Sequence, residues 1–194
     1  MRQIGISINE LSGGLEVLSG QPRGQMLLGK LIAALSPQES FTVVFLDFKG
    51  VNVATASFLR SAILAFRDHC VRAKLNLYPV LANINEDISG DLKLVLEPRA
   101  DAFVVCELGV DGVVSAVRLI GSLDDIQQLT FEAVRRNGEA DASTLKDVHD
   151  KEKGTEGIGV TGWNNRLASL AEKGLVVEVK RGRTKLYRPV LEFT

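Results

Sequence analysis

The first two thirds of the chain alternate between strand-like and helix-like hydrophobic patterns. Alternating or continuous apolar residues predict strands at residues 4–8, 15–18, 41–48, 75–81, 102–108 and 113–120. Apolar residues at helical spacing predict helices at residues 24–35, 57–73 and 86–96. The glycine pair Gly13-Gly14 favours pairing of the first two strands with each other. Strands that alternate with helices predict a layered α/β domain over residues 1–121, with a sheet largely covered by helices.

The pattern changes after residue 121 to helices without intervening strands. Helical spacing predicts helices at residues 123–136, 143–151 and 161–173, separated by a polar loop at 152–159. The apolar stripe of the first of these includes Ile126 and Leu129. Alternating apolar residues then predict two strands around a glycine-containing turn at 180–185. Residues 122–194 are therefore predicted to form a second, smaller domain.

The third of these helices has a distinct apolar stripe and a polar opposite face. Thr161 is predicted to cap the helix, and the buried stripe is Trp163, Leu167, Leu170 and Ala171. The residues predicted to face bases or phosphates are Thr161, Gly162, Asn165, Arg166, Ser169 and Lys173. Asparagine can bond adenine and arginine can bond guanine bidentately, so this face could read a major groove. An ordinary solvated helix face explains the same pattern.

Charge is distributed unevenly, although the formal net charge of the chain is only −1. Residues 157–189 contain seven Lys or Arg and two Asp or Glu, a local net charge of +5. Four of the basic residues surround the predicted turn: Lys180, Arg181, Arg183 and Lys185. Like charges at this spacing repel, and phosphates opposite them would relieve the repulsion. The alternative is a solubilising edge hairpin, because charged edges also discourage aggregation.

The order of three helices and a basic hairpin in residues 122–194 resembles the winged helix-turn-helix superfamily. The segment 160–176 is similar to the recognition helix and the start of the wing in many bacterial repressors. The resemblance implies a recognition helix in the major groove of double-stranded DNA and a wing on the backbone or minor groove. Members of the superfamily often bind a palindromic site as dimers, so the resemblance also implies a dimer.

A second resemblance lies in the larger predicted domain. The strand at 42–48 and the loop and helix start at 49–59 are similar to STAS domains, which include anti-sigma factor antagonists. Ser57 stands where those antagonists are phosphorylated, while Thr55, Ala56 and Phe58 replace the Asp, Ser and Gly of their motif. The resemblance implies regulated binding of a protein partner. Ser57 is also predicted to be the N-cap of its helix, a structural role that serine commonly has.

Other classes of function find little support in the sequence. Cys70 and Cys106 lie in apolar patterns, which predicts buried free thiols. His69 and His149 lie far apart without clustered metal ligands, so we expect no metal, no cofactor and no enzymatic activity. The apolar runs are too short to span a membrane, and the first residues do not resemble a secretory leader, which predicts a cytoplasmic protein.

The sequence therefore supports two functions of different kinds. The first is a bacterial transcriptional regulator whose winged helix binds double-stranded DNA and whose STAS-like domain regulates it or dimerises. The second is an adaptor of the anti-sigma factor antagonist type, in which the STAS-like domain binds a protein partner or a second copy. The winged helix is then a docking surface and does not bind DNA.

Overall fold

A computed structural model describes residues 2–153 and 157–193 of the protein. It is a mixed α/β structure with a mainly parallel central sheet, as the hydrophobic pattern predicts at this level. The chain forms two compact units, residues 2–122 and residues 123–193. Within the described residues, no helix is both long and apolar enough to cross a membrane.

The first unit is built on a five-stranded sheet. Its strands are β1 (Arg2–Ser7), β3 (Thr42–Asp47), β5 (Leu77–Ala82), β6 (Ala102–Leu108) and β7 (Val114–Gly121), and they lie in the order β1-β3-β5-β6-β7. The first four are parallel, and β7 pairs antiparallel with β6. Residues 42–46 are buried, as the apolar run from Val43 to Leu46 predicts for a strand that is covered on both faces.

Short helices and a second, two-stranded sheet complete this unit. The helices are α1 (Ile8–Leu11), α2 (Gln21–Ala34), α3 (Ala56–Leu59), α4 (Ala65–Arg72) and α5 (Glu86–Leu96). A π-helical segment, Arg60–Leu64, joins α3 to α4, so the predicted helix over 57–73 is one continuous helical stretch. A 3₁₀ turn, Glu97–Arg99, follows α5. The apolar stripe predicted along the stretch from α3 to α4 is buried at Leu59, Ile63, Phe66 and Cys70.

The strand pair expected near the start of the chain does not form. Strand β1 pairs with β3, while β2 (Val17–Leu18) pairs in parallel with β4 (Val53–Ala54). The helical turn α1 begins directly after β1, and Gly13 and Gly14 then adopt φ values of 81° and 78°. The side-chain amide of Asn9 donates hydrogen bonds to the carbonyls of Leu15 and Gly50, 3.1 and 3.0 Å away. These contacts direct the chain away from β1 and towards the loop before β4.

A buried ion pair lies in the core of the first unit. The Arg67 guanidinium bonds both carboxylate oxygens of Asp101, with Nη2–Oδ2 and Nη1–Oδ1 distances of 2.6 and 3.2 Å. Arg67 Nη1 also donates to the Ala102 carbonyl, and the guanidinium lies 5.2 Å from the Phe103 ring centre. Arg67 and Asp101 are each only 3% exposed, so each compensates the other's buried charge.

Both cysteines are free and buried, as predicted. Burial raises the pKa of the Cys70 thiol to about 12. It also raises the pKa of Cys106 to about 11, with a further contribution from the negative charge of Glu107. Both thiols therefore stay protonated near neutral pH and have little thiolate reactivity.

The second unit consists of three helices followed by a hairpin. Its elements are α6 (Asp125–Asn137), α7 (Ala142–Lys153), α8 (Val160–Glu172), β8 (Val176–Arg181) and β9 (Thr184–Pro189). Asp124 caps α6 by accepting from Gln127 N at 2.8 Å, and Asp141 accepts from Thr144 N at 2.7 Å at the start of α7. The hydrogen bonds that Asp141 accepts from Thr144 and Ser143, led by that from Thr144 N, lower its pKa. The unit's core includes Phe131, Val134, Leu145 and the buried stripe of α8.

Two details of the second unit differ from the sequence predictions. Helix α6 buries Thr130, Phe131 and Val134, and it leaves Ile126 and Leu129 52% and 38% exposed. The polar loop expected at 152–159 is shorter, because α7 continues to Lys153; residues 154–156 of that loop lie outside the described residues.

Candidate functional site

The exposed face of α8 is narrower than the sequence predicts. Trp163, Leu167 and Leu170 are fully buried, and they fix the direction of the helix. Exposed residues on the other side are Thr161, Asn164, Asn165 and Glu172. Two hydrogen-bonding amides and one hydroxyl therefore face solvent along the first turns, and an acidic side chain lies near the end. Thr161 is not the cap, since α8 begins at Val160 after Gly159, and this leaves its side chain on the exposed face.

Four residues predicted on that face lie on the flank of α8 instead: Gly162, Arg166, Ser169 and Lys173, all half-buried. The Ser169 hydroxyl accepts a hydrogen bond from Gln127 Nε2 of α6 at 3.2 Å. The Arg166 guanidinium lies 5.5 Å from the centre of the Trp163 ring. Ser169 and Arg166 thus contact residues of the unit itself, while Thr161 and Asn165 remain on the open side of α8.

Asn164 is a candidate contact residue that the sequence prediction omitted. The prediction included Ala171 in the buried stripe, which turned the inferred polar face towards Gly162 and Ser169. Ala171 is only half-buried. A helical wheel centred on the three large apolar residues Trp163, Leu167 and Leu170 alone places Asn164 outside the buried stripe. The exposure of Asn164 could therefore have been predicted from the sequence.

The hairpin carries the predicted cluster of cations at its turn. Strands β8 and β9 pair up to Arg181 and Thr184, which leaves a two-residue loop, Gly182 and Arg183. Gly182 has a φ of 62°, and glycine with positive φ at the first loop position is typical of a type II′ hairpin turn. All six residues 180–185 are exposed, and we call them the basic tip.

The four cations of the basic tip have different surroundings. Arg181 Nη1 lies 3.1 Å from Glu139 Oε1, and Lys185 Nζ lies 3.1 Å from Glu178 Oε2. Both pairs are exposed at the basic residue, so they are weak and can exchange for other anions. Lys180 and Arg183 have no acidic partner within 4.0 Å in the described parts of the chain. The tip therefore presents at least two positive charges that acidic side chains do not neutralise.

A backbone contact fixes the hairpin to the helices of its own unit. Ala140, between α6 and α7, exchanges two backbone hydrogen bonds with Tyr187 of β9, at 2.9 and 2.8 Å. The Tyr187 hydroxyl donates to Glu178 Oε2 at 3.1 Å. Burial, together with the charge of Glu178, raises the pKa of Tyr187 to about 12, so the hydroxyl remains a donor at neutral pH. These hydrogen bonds attach the base of the hairpin to the helices, and the basic tip extends from it.

The positive charge is local to this part of the second unit. Residues 122–194 contain twelve basic and twelve acidic residues in total. The excess of +5 in residues 157–189 is therefore balanced by a net charge of −4 in residues 122–156 and by Glu192. A positively charged stretch of this kind favours contact with a polyanion.

Ser57, the predicted phosphorylation site, is exposed but does not cap its helix. Helix α3 begins at Ala56, so Thr55 is the N-cap residue and Ser57 lies inside the first turn. The cap is supplied from α5, where Asp91 Oδ1 accepts a hydrogen bond from Ala56 N at 3.1 Å. The carboxylate of Asp91 already interacts favourably with this helix start, which reduces what a phosphate on Ser57 could gain there.

This arrangement predicts unequal effects of two alanine substitutions. Asp91→Ala is expected to lower the free energy of unfolding by about 1 kcal/mol, because it removes the cap of α3. Ser57→Ala is expected to change it by less than about 0.5 kcal/mol, as for an exposed residue without a capping role. Urea unfolding followed by far-UV circular dichroism measures both. A loss for Ser57→Ala equal to that for Asp91→Ala would contradict the assignment.

No group of three or more His, Cys, Asp or Glu side chains that could hold a metal ion occurs among residues 2–153 and 157–193. The candidate site thus consists of the exposed face of α8 and the basic tip. The chain matches no protein-family model, and no curated protein or solved structure shows significant similarity to it.

Proposed function

We propose that residues 123–193 bind double-stranded DNA as a winged helix-turn-helix, with α8 in the major groove and the basic tip on the phosphate backbone. The observation that carries this proposal is the charge of the tip. Lys180 and Arg183 are exposed at the turn of the hairpin, and neither has an acidic partner in the described regions. Phosphates would compensate these charges and release counterions from the DNA, which favours binding.

The exposed face of α8 supplies the chemistry for reading bases. Asparagine amides can donate and accept at once, as bidentate contact with adenine requires. We assign base contacts to Thr161, Asn164 and Asn165 because their side chains are exposed on the first turns of α8. Recognition helices commonly use their N-terminal residues for such contacts. Arg166 and Ser169 are assigned to the packing of α8 instead, in view of their contacts with Trp163 and Gln127.

We assign residues 2–122 to a STAS-like module for regulation or self-association. This assignment rests on the parallel sheet and on the loop and helix start at 49–59. Strand β1 pairs with β3 and lies at one edge of the sheet, and we assign pairing with a further strand to this edge. Together the two units would form a bacterial cytoplasmic transcriptional regulator.

Electrophoretic mobility shift of the full chain tests the proposal. Random-sequence duplexes and genomic fragments are incubated with the protein at physiological salt. Retardation of both, with a subset of genomic fragments retarded at lower protein concentration, is the expected result. An adaptor that works only through protein contacts would retard neither, and that outcome would overturn the proposal.

Base reading by α8 predicts a change of specificity for one asparagine variant. Asn165→Ala is expected to weaken binding to the preferred site by about 1–3 kcal/mol and to relax the preference at one or two base pairs. Its affinity for random duplex is expected to stay within about twofold, since phosphate contacts are unchanged.

Selection from a random DNA library measures the preference of each variant. Ser169→Ala is the matched control, because its hydroxyl on the same helix is bonded to Gln127. The control should select the same sequence as the wild type. If Asn165→Ala also selects that sequence with unchanged affinity, α8 does not read bases through this residue.

A further inference from the structure

The exposed residues of α8 share a chemistry that differs from that of the basic tip. They are Val160, Thr161, Asn164, Asn165 and Glu172. Two of them present carboxamides and one presents a hydroxyl, and none of the five carries a positive charge. The two asparagines and the threonine have no side-chain hydrogen bond within residues 2–153 and 157–193. These three side chains are therefore available to bond another molecule.

The two basic side chains nearest to this face lie on the flank of the helix. Arg166 and Lys173 are both half-buried. The Arg166 guanidinium lies 5.5 Å from the centre of the Trp163 ring, and Lys173 is the C-cap residue, at the opposite end of α8 from the exposed amides. Arginine and lysine supply the commonest specific contact in the major groove, a bidentate bond to guanine. The exposed first turns of α8 lack the side chains for that contact.

An A·T base pair matches the groups that α8 does expose. Adenine donates from its N6 amino group and accepts at N7, as the carbonyl and the amide of one asparagine side chain require. Thymine is distinguished by its 5-methyl group, which the methyl groups of threonine and alanine contact. Thr161 supplies such a methyl group. The small, half-buried Ala168 lies one turn beyond Asn164 and Asn165 on the same side of the helix, so no long side chain keeps this face from the base edges.

The charge at the two ends of α8 favours entry of its N-terminal end into the groove. Glu172 is exposed near the C-terminal end, where phosphates on either side of the groove would repel its carboxylate. The first turn has no acidic residue, and the positive end of the helix dipole there favours nearby phosphates. Asn165 and Glu172 are separated by about 10 Å along the helix axis, so the amides can reach base edges while the carboxylate stays away from the phosphates.

We propose that α8 reads A·T base pairs in the major groove, with Asn164 and Asn165 bonding adenine and the methyl group of Thr161 contacting thymine. This inference rests on the proposed DNA binding and names the class of sequence that the same site prefers. The basic tip contributes affinity for every duplex and no preference among them, because phosphate contacts carry no sequence information.

Three alternating duplexes of about 20 base pairs, two turns of B-DNA, distinguish major-groove from minor-groove reading. One contains only A·T pairs, one only G·C pairs and one only inosine·cytosine pairs. Inosine lacks the 2-amino group of guanine, so its pair with cytosine presents the groups of G·C in the major groove and those of A·T in the minor groove. Fluorescence anisotropy with the full chain at physiological salt measures the three affinities. The A·T duplex should bind at least about fivefold more tightly than either of the others.

Two double variants assign the preference to a part of the site. Asn164→Ala/Asn165→Ala should bring the three affinities to within about twofold of one another and leave the affinity for the G·C duplex within about twofold of wild type. Lys180→Gln/Arg183→Gln should weaken binding of all three duplexes by the same factor and keep the preference for A·T. All four residues are exposed, so neither variant removes a core side chain. Far-UV circular dichroism shows that both variants are folded.

Uracil in place of thymine tests the methyl contact. The wild type should bind a duplex of alternating adenine and uracil deoxynucleotides about threefold more weakly than the A·T duplex, because the contact of one methyl group is lost. Thr161→Ser keeps the hydroxyl and removes the methyl group from the protein, so this variant should bind the two duplexes equally. Equal binding of the two duplexes by the wild type would overturn the assignment of Thr161.

Four results would overturn the reading of A·T pairs by α8. These are equal binding of the A·T and G·C duplexes, tighter binding of the G·C duplex, a preference that survives in Asn164→Ala/Asn165→Ala, and binding of the inosine·cytosine duplex as tight as that of the A·T duplex. The last result would assign the preference to the minor groove. In each case the protein still binds duplexes, so the proposed DNA binding stands. Failure of the proposed function itself would leave all three duplexes unbound.

Discussion

Asp101→Ala is expected to destabilise the protein by about 3–5 kcal/mol, a large effect for a single substitution. The change removes both carboxylate oxygens that face the Arg67 guanidinium in the core of the sheet unit. Arg67 remains buried at 3% exposure, and the Ala102 carbonyl and the Phe103 ring compensate only part of its charge. Urea or guanidinium unfolding followed by far-UV circular dichroism measures the loss.

Two further variants show whether the loss comes from the unpaired charge of Arg67 or from a general loss of packing. Asp68→Ala removes a carboxylate that also contacts Arg67, at 3.4 Å, but its side chain is 30% exposed. Because solvent screens that contact, we expect a loss of less than about 1 kcal/mol. Arg67→Met combined with Asp101→Leu removes both charges and should be more stable than Asp101→Ala alone. If Asp101→Ala lowers the free energy of unfolding by less than about 1 kcal/mol, Arg67 is not left as an uncompensated buried charge in that variant.

The largest effect on function is expected from the two unneutralised cations of the basic tip. The double variant Lys180→Gln/Arg183→Gln should reduce the magnitude of the slope of log K against log salt concentration by up to about 1.8, since each phosphate contact contributes about 0.9. At about 0.1 M salt the affinity for random duplex should fall by roughly tenfold or more. Fluorescence anisotropy of a labelled duplex over a series of salt concentrations measures both quantities.

A matched control removes the same net charge from the other unit. Lys49→Gln/Lys93→Gln changes two exposed lysines of the sheet unit, and it should leave the slope within about 0.3 of the wild-type value, as expected where no phosphate is contacted. Equal slopes for the two double variants would mean that the protein is attracted by net charge alone. The basic tip would then have no specific role in binding.

Much of the architecture follows from the hydrophobic pattern. Buried parallel strands need apolar residues on both faces, so the continuous runs of β3 and β6 could be located to within a residue or two. Strand pairing was less accessible to prediction. The partner of β2 is β4, more than thirty residues away, and nothing in the local pattern distinguishes that pairing from a hairpin with β1.

Helix faces were predictable where large side chains define them. Leu59, Ile63 and Phe66 are buried as expected, whereas Ile126 and Leu129 are exposed because α6 packs through Thr130 and Phe131 instead. Thr130 was not expected in the core; its hydroxyl donates to the Ile126 carbonyl at 2.8 Å, which satisfies its polar group there.

In the candidate site, too, contacts between residues that are distant in the sequence could not be predicted. The positions of the four cations around a glycine turn could be read directly, since the turn type depends on local sequence. Which cations are neutralised depends on two acidic residues. Glu139, between α6 and α7, meets the hairpin only in the folded unit, and Glu178 of β8 reaches Lys185 of β9 only in the register that the two strands adopt. The cap of α3 was missed for the same reason, because its acceptor, Asp91, comes from a helix 35 residues further along the chain.

NMR titration with a DNA duplex identifies the residues of the protein that the DNA contacts. The full chain, labelled with ¹⁵N, is titrated with a random-sequence duplex at low salt while the backbone amide signals are recorded. If DNA binds as proposed, the shifts concentrate at the start of α8, around Thr161 to Asn165, and at residues 180–185. Unchanged spectra, or shifts confined to residues 2–122, would contradict it.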